Sequence, residues 1–203
     1  FYFRIKPKLS GKAKKLAGNP SAIEANIKGS DFNGLDLLPA DFTHRDLDVR
    51  YSQMKRSRQK LADALLPLQA EYDLVILDCP PNIGLLAENI FHASDFLLTP
   101  LIPTTLSLRT HEQVQTFLAD RGHDLARLYT FFSMVDRRKK LHRETIAQVT
   151  AAYANILPSP IPYSSLIEQM GMYRQPVPAF APASAATAAY RELWQDISVQ
   201  LLS

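Results

Sequence analysis

The stretch that decides the fold is YDLVILDCPPNIG, residues 72–84. Its aliphatic run over 74–77 ends at Asp78, and two prolines follow one residue later. A continuous apolar run without alternation is typical of a strand buried on both faces, as in parallel sheets covered by helices. Residues 73–78 are therefore predicted to form such a strand. Because proline lacks a backbone N–H and cannot continue a ladder, the chain is expected to turn away directly after it.

Asp78 would stand at the carboxyl end of this predicted strand. Open α/β sheets bind their ligands in the crevice beyond the carboxyl ends of the strands. Mg²⁺ that is bound to nucleotide phosphates uses one or two carboxylates and several waters. Asp78 is therefore a candidate to organise Mg²⁺, through a bound water. The alternative is an aspartate that only caps the turn after its strand.

The composition is that of an ordinary globular protein. The 203 residues are 46% hydrophobic and 21% charged, which suits one α/β domain with a sizeable core. The net charge of +3 permits an acidic partner without requiring one. The lone cysteine, Cys79, excludes an internal disulfide and agrees with a reducing cytoplasm. We expect it to be small, buried and inert, although a catalytic thiolate is the alternative.

Predicted strands and helices alternate along the rest of the chain. Strands are expected at 35–39, 96–101 and 128–135, and the proline-rich stretch 156–162 favours an edge strand or a loop. Helices are expected at 45–71, 85–90, 106–120, 142–154 and from about 184 onward, the last one burying Trp194. This alternation indicates βαβ units and a mainly parallel sheet. The prediction is a single α/β domain over 1–203, with 1–20 as a loop.

The strongest positive charge lies in one cluster. It consists of Arg137, Arg138, Lys139, Lys140 and, one helical turn further on, Arg143. These residues are the DNA-binding candidates, and contacts to phosphates would be independent of base sequence and would weaken steeply with salt. The alternative is a solvated entrance to a helix.

A family resemblance follows from these segments. Residues 72–85, YDLVILDCPPNIGL, are similar to the Walker B and switch II segment of the ParA/MinD family of deviant-Walker ATPases, nearest to its ParA branch. The similarity continues through 93–104, 133–138 and 161–164. The resemblance implies an α/β, P-loop NTPase-like fold of the SIMIBI type, with helices flanking a mainly parallel sheet.

The resemblance also implies an activity, cofactors and partners. Such ATPases bind ATP and Mg²⁺ between two subunits, and the ATP-bound homodimer would bind non-specific DNA in the cytoplasm, associated with the nucleoid and without membrane insertion. A ParB-like partner would stimulate hydrolysis. Asp78, the catalytic candidate, would organise Mg²⁺ or its waters, and Asp136 with the loop at Pro162 and Tyr163 would flank the adenine. Switch II would consist of residues around the two prolines, namely Pro80, Pro81, Asn82 and Gly84.

The chain departs from that family in one respect. No KGGxGKT-like phosphate-binding loop occurs in the 203 residues, which contain only seven glycines. The chain is expected to be truncated at its N-terminus, with the first strand, this loop and the second strand lying upstream of it. ATP hydrolysis is then expected only in a protein that carries these segments. A degenerate, non-catalytic adaptor is one alternative. Biosynthetic enzymes with the same fold, cobyrinic acid a,c-diamide synthase and dethiobiotin synthetase, are the other.

Overall fold

The computed structural model describes residues 2–5, 19–39, 47–79 and 84–202. They form two compact units, one containing Phe3–Ser94 and the other containing residue 2 together with Asp95–Ser203. Of the loop predicted over 1–20, residues 1 and 6–18 lie outside the described residues, and Pro20 begins the first helix. The prediction of one domain over 1–203 stays a prediction.

The first unit is mostly helical and carries one short hairpin. Strands β1 (Lys28–Gly29) and β2 (Asp36–Leu37) pair in antiparallel fashion, and β2 confirms the strand predicted within 35–39. A small core packs between the first helix and a later one, with Ile23, Ala64 and Leu68 buried. The helices are α1 (Pro20–Glu24), α2 (Leu47–Ser52), α3 (Lys60–Leu65), which runs into a 3-10 turn over Leu66–Ala70, and α4 (Leu85–Ala93).

The single helix predicted over 45–71 is wrong. Non-helical residues 53–59 separate α2 from α3. Arg56 lies in that gap with φ of 55°, a left-handed conformation that an α-helix of L-residues does not contain. At the other end Pro67, which has no N–H to donate, stands in the first turn of the 3-10 segment. The apolar periodicity correctly indicated helix in this stretch, but these two backbone features divide the predicted single helix into shorter helical segments.

The buried strand predicted over 73–78 is also wrong. Residues 74–79 have no strand partner among the described residues, and Leu74, Val75 and Ile76 are exposed, the last by 75%. A strand exists only as part of a ladder, so an apolar run is necessary for a central strand but not sufficient. Periodicity identifies the side chains suited to such a strand and says nothing about the neighbours that must pair with it.

The second unit contains a parallel sheet with helical crossovers. Strands β3 (Leu97–Leu101) and β4 (Leu128–Phe132) pair in parallel, with Leu97 opposite Leu128 and Leu101 opposite Phe132. Parallel bridges from Thr130 to Ile156 and from Val135 to Pro162 add a rudimentary third strand, as the edge prediction allowed. The helices are α5 (Thr105–Asp120), α6 (Lys140–Ala152), α7 (Ser165–Tyr173), α8 (Val177–Phe180) and α9 (Ala185–Leu201), with a 3-10 turn at Leu125–Arg127. The βαβ unit predicted from the alternation is confirmed.

Two clusters of apolar side chains cover the sheet. One contains Leu101, Phe132, Val135 and Val149. The other contains Leu157, Ile161, Ala189 and Leu193. Trp194, predicted to be buried, is 50% exposed. It follows the inward-facing Leu193 by one residue, a rotation of about 100° around the helix that takes it off the buried stripe. Among the described helices, none combines the length and apolar character that crossing a membrane requires.

One buried histidine in the second unit predicts a stability that depends on pH. His111 lies on α5, is buried, and meets the ring of Tyr153 edge-on at 5.4 Å between centroids. Burial lowers its pKa from the ordinary value, and nearby Glu112 opposes that shift only in part. The unfolded chain therefore binds a proton near pH 6.5 that the folded chain does not yet bind.

We expect His111→Phe to flatten the acid limb of the stability curve. Stability from this site is complete above the unfolded pKa and declines as the pH falls below it, by at most about 1.4 kcal/mol per pH unit. Urea unfolding at pH 7 and pH 5 measures the loss, which should be larger for the wild type than for the variant. His123→Gln, at a half-buried histidine of the same unit, is the control. Equal losses in the wild type and in His111→Phe would contradict the prediction.

Candidate functional site

The carboxyl ends of the parallel strands bring three loops together in the second unit. The Ser133 N–H donates to the Leu101 carbonyl at 3.0 Å, which joins the loop after β3 to the loop after β4. The Val135 N–H donates to the Ile161 carbonyl at 3.0 Å, and the Tyr163 N–H donates to the Val135 carbonyl at 3.0 Å. Loops 101–104, 133–136 and 161–164 therefore form one edge, where open α/β sheets place their ligands.

Two helices begin at this edge with capped N-termini. The hydroxyl of Thr104 accepts from the Ser107 N–H at 3.4 Å at the start of α5. The hydroxyl of Ser164 accepts from the Leu166 N–H at 3.3 Å at the start of α7. Both helices direct the positive end of their dipoles toward the edge, so the edge is electrostatically suited to a polar or anionic ligand.

Met134 is a backbone outlier that the sequence did not indicate. It has φ of 54° and an exposed side chain, between two residues whose N–H groups are bound by the neighbouring loops. A non-glycine residue in the left-handed region is uncommon and persists where its surroundings over-determine it. The hydrogen bonds on either side of Met134 hold it in this conformation and leave its thioether exposed at the edge.

Asp136 is bound by an arginine two residues away. Its Oδ1 accepts from the backbone N–H and the Nε of Arg138, at 3.1 and 2.9 Å, and its Oδ2 accepts from Nη2 at 2.9 Å. These bonds to Arg138, with the positive charge that they bring, lower the pKa of Asp136 to about 2. The carboxylate stays charged at neutral pH, and both of its oxygens are in use.

The structure brings Asp136 next to the other predicted adenine-flanking residues. The bridge between Val135 and Pro162 places Asp136 beside Tyr163 at the same edge. The Tyr163 hydroxyl donates to Glu168 at 3.0 Å, and this bond, followed by the charge of Glu168, raises the pKa of the phenol. Tyr163 is exposed and stays protonated at neutral pH. The adenine contact itself stays a prediction.

The residues predicted around the Mg²⁺ site belong to the first unit. Asp78 is exposed in the segment 74–79, which has no regular secondary structure. Gly84 precedes α4, and its carbonyl accepts from the Glu88 N–H at 3.1 Å. Pro80, Pro81 and Asn82 lie outside the described residues. The switch assignment of these residues stays a prediction.

Cys79 is exposed rather than buried, like most of the segment 74–79 that carries it. Its thiol donates to the Leu77 carbonyl at 3.2 Å. Partial desolvation by the surrounding chain, and then the negative charge of Asp78, raise the pKa of the thiol. A thiol with a raised pKa is a poor nucleophile at neutral pH, which favours the inert assignment over the catalytic one.

The residues predicted for the nucleotide site offer a ligand suited to Mg²⁺ but no group suited to binding the phosphates of ATP. Asp78 offers one exposed carboxylate, which suits an ion whose other ligands are waters and phosphate oxygens. The described residues contain no group of three or more His, Cys, Asp or Glu side chains that could hold a metal alone. The 203-residue sequence contains no glycine-rich loop whose backbone N–H groups would bind the phosphates. Asp78 would thus hold the ion's water shell, and the phosphate chain has no cradle in these residues.

The basic cluster, residues 137–140 and Arg143, divides into bound and available cations. Arg143 Nη1 donates to the carbonyls of Arg137 and Arg138, at 2.8 and 3.2 Å, and Arg138 is paired with Asp136. Lys140 lies 3.5 Å from Glu144 one turn along α6, a long and exposed pair. Arg137 and Lys139 are exposed at the entrance to that helix. They are the cations best placed to meet a phosphate backbone.

A family comparison now identifies the class of protein. The family model AAA_31, described as an AAA domain, matches residues 9–123, more than half of the chain, and the chain therefore belongs to that family. The "Chromosome partitioning protein ParA" of Caulobacter vibrioides is 27% identical over 192 residues, covering 90% of this chain and 70% of that protein. The "Virulence plasmid ParA family protein pGP5-D" of Chlamydia psittaci is 27% identical and covers 93% of this chain and 73% of its own length. These relatives confirm the resemblance to ParA/MinD-like P-loop ATPases.

Solved structures confirm the fold class. A putative plasmid partition protein of Borrelia burgdorferi bound to AMPPNP superposes with a TM-score of 0.77 at 16% identity, covering 96% of this chain and 78% of that one. The Pyrococcus furiosus cell division ATPase MinD gives a TM-score of 0.70 at 17% identity, covering 96% of this chain and 77% of that one. Cobyrinic acid a,c-diamide synthase of Mycobacterium smegmatis with bound ADP and magnesium gives a TM-score of 0.69 at 25% identity, covering 85% of this chain and 72% of that one. The protein has the α/β, P-loop NTPase-like fold that the sequence predicted.

Proposed function

We propose that this protein is a ParA-like ATPase that partitions or positions a plasmid, a chromosome or another large cargo. The observation that carries the proposal is the similarity to a chromosome partitioning ParA over 90% of the chain. The parallel sheet of the second unit supports it, because three loops meet at the edge where this class of fold binds its ligand.

ATP and Mg²⁺ are the proposed cofactors. When bound, Mg²⁺ would neutralise part of the negative charge on the ATP phosphates. Asp78 would hold and orient a water of the ion, and Pro80, Pro81, Asn82 and Gly84 would sense the terminal phosphate. At the edge of the second unit, Asp136 and the loop at Pro162 and Tyr163 would lie against the adenine, where the ring of Tyr163 is exposed.

The proposed cycle couples nucleotide to DNA. ATP would favour a homodimer that binds DNA without sequence preference, and a ParB-like partner would accelerate hydrolysis and release. The proposed location is the cytoplasm, on the nucleoid. The basic cluster supports the DNA step, because exposed lysines and arginines at a helix entrance neutralise phosphates at the cost of a strong salt dependence.

We expect the double variant Arg137→Ala/Lys139→Ala to weaken DNA binding selectively. Each lost phosphate contact should reduce the slope of log K against log salt by about 0.9 in magnitude. Fluorescence anisotropy with a random-sequence duplex at four salt concentrations measures the slope. The matched control is Arg109→Ala/Arg191→Ala, which removes the same charge from two exposed positions on α5 and α9. Equal slopes for the two double variants would contradict the assignment of the cluster.

The experiment that tests the whole function uses the complete gene product. ATP hydrolysis and retention on DNA are measured with ATP, with ADP and without nucleotide. The proposal expects the complete product to be retained in the presence of ATP and released as ATP is consumed. Retention that does not depend on nucleotide would contradict it.

Two other functions make different predictions. The likeness to cobyrinic acid a,c-diamide synthase, at 25% identity, favours an ATP-dependent amidation. That function predicts nucleotide turnover that depends on a corrinoid acid and an ammonia source and is indifferent to DNA. A non-catalytic adaptor, favoured by the lack of a glycine-rich loop in the 203 residues, predicts binding of a macromolecular partner with no nucleotide turnover at all.

A further inference from the structure

The basic cluster is preceded by a carboxylate that binds one of the cluster's own arginines. Asp136 accepts from Nε and Nη2 of Arg138, both at 2.9 Å. This Nε–Nη2 edge is one of the guanidinium edges that bind phosphate oxygens in bidentate fashion. The carboxylate therefore occupies a group that a nucleic-acid phosphate would otherwise use.

Hydrogen bonds outside this ion pair hold the backbone of the loop. The Lys139 N–H donates to the Asp136 carbonyl at 3.1 Å, and the Asp136 N–H donates to His142 Nδ1 at 3.2 Å. The Arg143 guanidinium holds the carbonyls of Arg137 and Arg138. The Arg138 side chain can therefore exchange its partner while the turn that carries it keeps its shape.

The exchange is favoured by the exposure of the arginine. The Arg138 side chain is 87% exposed, whereas that of Asp136 is only 15% exposed. Water screens an ion pair that has one largely exposed member, which lowers the cost of exchanging one anionic partner for another. A phosphate backbone that already contacts Arg137 and Lys139 would meet Arg138 at high local concentration, without a further loss of translational freedom.

We propose that Asp136 withholds Arg138 from nucleic acid, so that the Asp136 carboxylate and a backbone phosphate compete for the same guanidinium edge. The inference rests on the proposed binding of DNA by this cluster. Asp136 is in this respect a positioning residue, and Arg138 is a phosphate ligand in the bound state. By thermodynamic reciprocity, whatever engages the Asp136 carboxylate strengthens phosphate binding by Arg138.

The test measures the affinity and the salt slope of Asp136→Asn with a random-sequence DNA duplex. Affinity is expected to rise about 3- to 10-fold at low salt, and the slope of log K against log salt to steepen by about 0.9, the share of one further phosphate. Asp136→Ser is the second variant, because its hydroxyl can still accept from the Arg138 N–H and preserve the turn. Circular dichroism and a thermal melt establish that both variants are folded.

Two controls separate release of Arg138 from the mere loss of a negative charge. Glu192→Gln removes an exposed carboxylate on α9, outside the basic cluster, without freeing Arg138, and should leave the salt slope nearly unchanged. In an Arg138→Ala background, Asp136→Asn should no longer steepen the slope. An increase of equal size with and without Arg138 would overturn the inference.

The outcomes also distinguish this inference from the proposed function. If the wild type binds DNA and Asp136→Asn leaves affinity and slope unchanged, the inference fails and the DNA-binding function stands. If only the Asp136 variants bind, the inference stands and the wild-type chain alone is not a DNA-binding protein. If neither the wild type nor the variants bind at low salt in the presence of ATP, both fail.

Discussion

Asp78→Asn is expected to lower ATP hydrolysis by the complete protein about 10- to 100-fold, the usual cost of losing an outer-sphere carboxylate at a metal site. Asparagine keeps the size of the side chain but removes its charge and replaces one accepting oxygen by an NH₂ donor, so the water shell of Mg²⁺ is held and oriented less well. The Mg²⁺ concentration for half-maximal activity should rise in parallel. Steady-state hydrolysis, titrated with Mg²⁺, measures both.

The matched control for this change is Asp73→Asn. Asp73 lies in the same segment, is also exposed, and stands five residues before Asp78. It should retain activity and Mg²⁺ dependence. Full activity in Asp78→Asn would remove Asp78 from the proposed site, whereas equal losses in the two variants would indicate a disturbance of the segment rather than of the ion.

Asn89→Ala is expected to have the largest effect on folding, about 2–4 kcal/mol of the free energy of unfolding. Asn89 lies on α4 and is completely buried. Its Oδ1 accepts from the Leu61 N–H at 3.2 Å, and its Nδ2 donates to the carbonyls of Ser57 at 2.7 Å and Leu85 at 2.9 Å. Truncation leaves the Leu61 and Ser57 backbone groups without these partners and opens a cavity. The side chain thus joins α4 to the interruption between α2 and α3.

Urea unfolding followed by far-ultraviolet circular dichroism measures this loss in the full chain. Fluorescence of the single tryptophan is unsuitable alone, because Trp194 belongs to the other compact unit. Asn89→Asp should also destabilise, because a carboxylate accepts from Leu61 but cannot donate to the two carbonyls. Gln113→Ala, at an exposed amide on α5, should stay within about 0.5 kcal/mol of the wild type. A loss below about 1 kcal/mol for Asn89→Ala would mean that water replaces the lost bonds.

The sequence was most informative where local pattern and chain direction act together. The apolar runs that became β3 and β4, separated by the periodic helix α5, predicted a parallel βαβ unit that the structure confirms. Crossovers between parallel strands of one sheet are almost always right-handed, so a strand–helix–strand pattern allows few other arrangements of the two strands. The family resemblance read from residues 72–85 is likewise confirmed.

The candidate site was predicted in part. Asp136 and the loop at Pro162 and Tyr163 were expected to serve one site, and the parallel bridge at Val135 does place them together. The ion pair between Asp136 and Arg138 was missed, although an aspartate two residues before an arginine in a turn is a signal that could have indicated it. The left-handed conformation of Met134 had no signal, because no glycine or asparagine marks it.

Residues 72–84 illustrate the division between pattern and environment. Their composition was sufficient to identify a family and to single out Asp78, since side-chain identity and spacing are properties of the chain alone. Whether 73–78 form a buried strand depends on a ladder partner and on covering helices, and the structure leaves that segment exposed. The charged residues show the same division between what the sequence indicates and what the fold decides. Sequence located the basic cluster, but only the folded conformation of this loop decided that Arg138 and Arg143 bind neighbouring groups of the chain while Arg137 and Lys139 face solvent. Hydrogen bonds and burial depend on which groups the fold places within a few ångströms of each other.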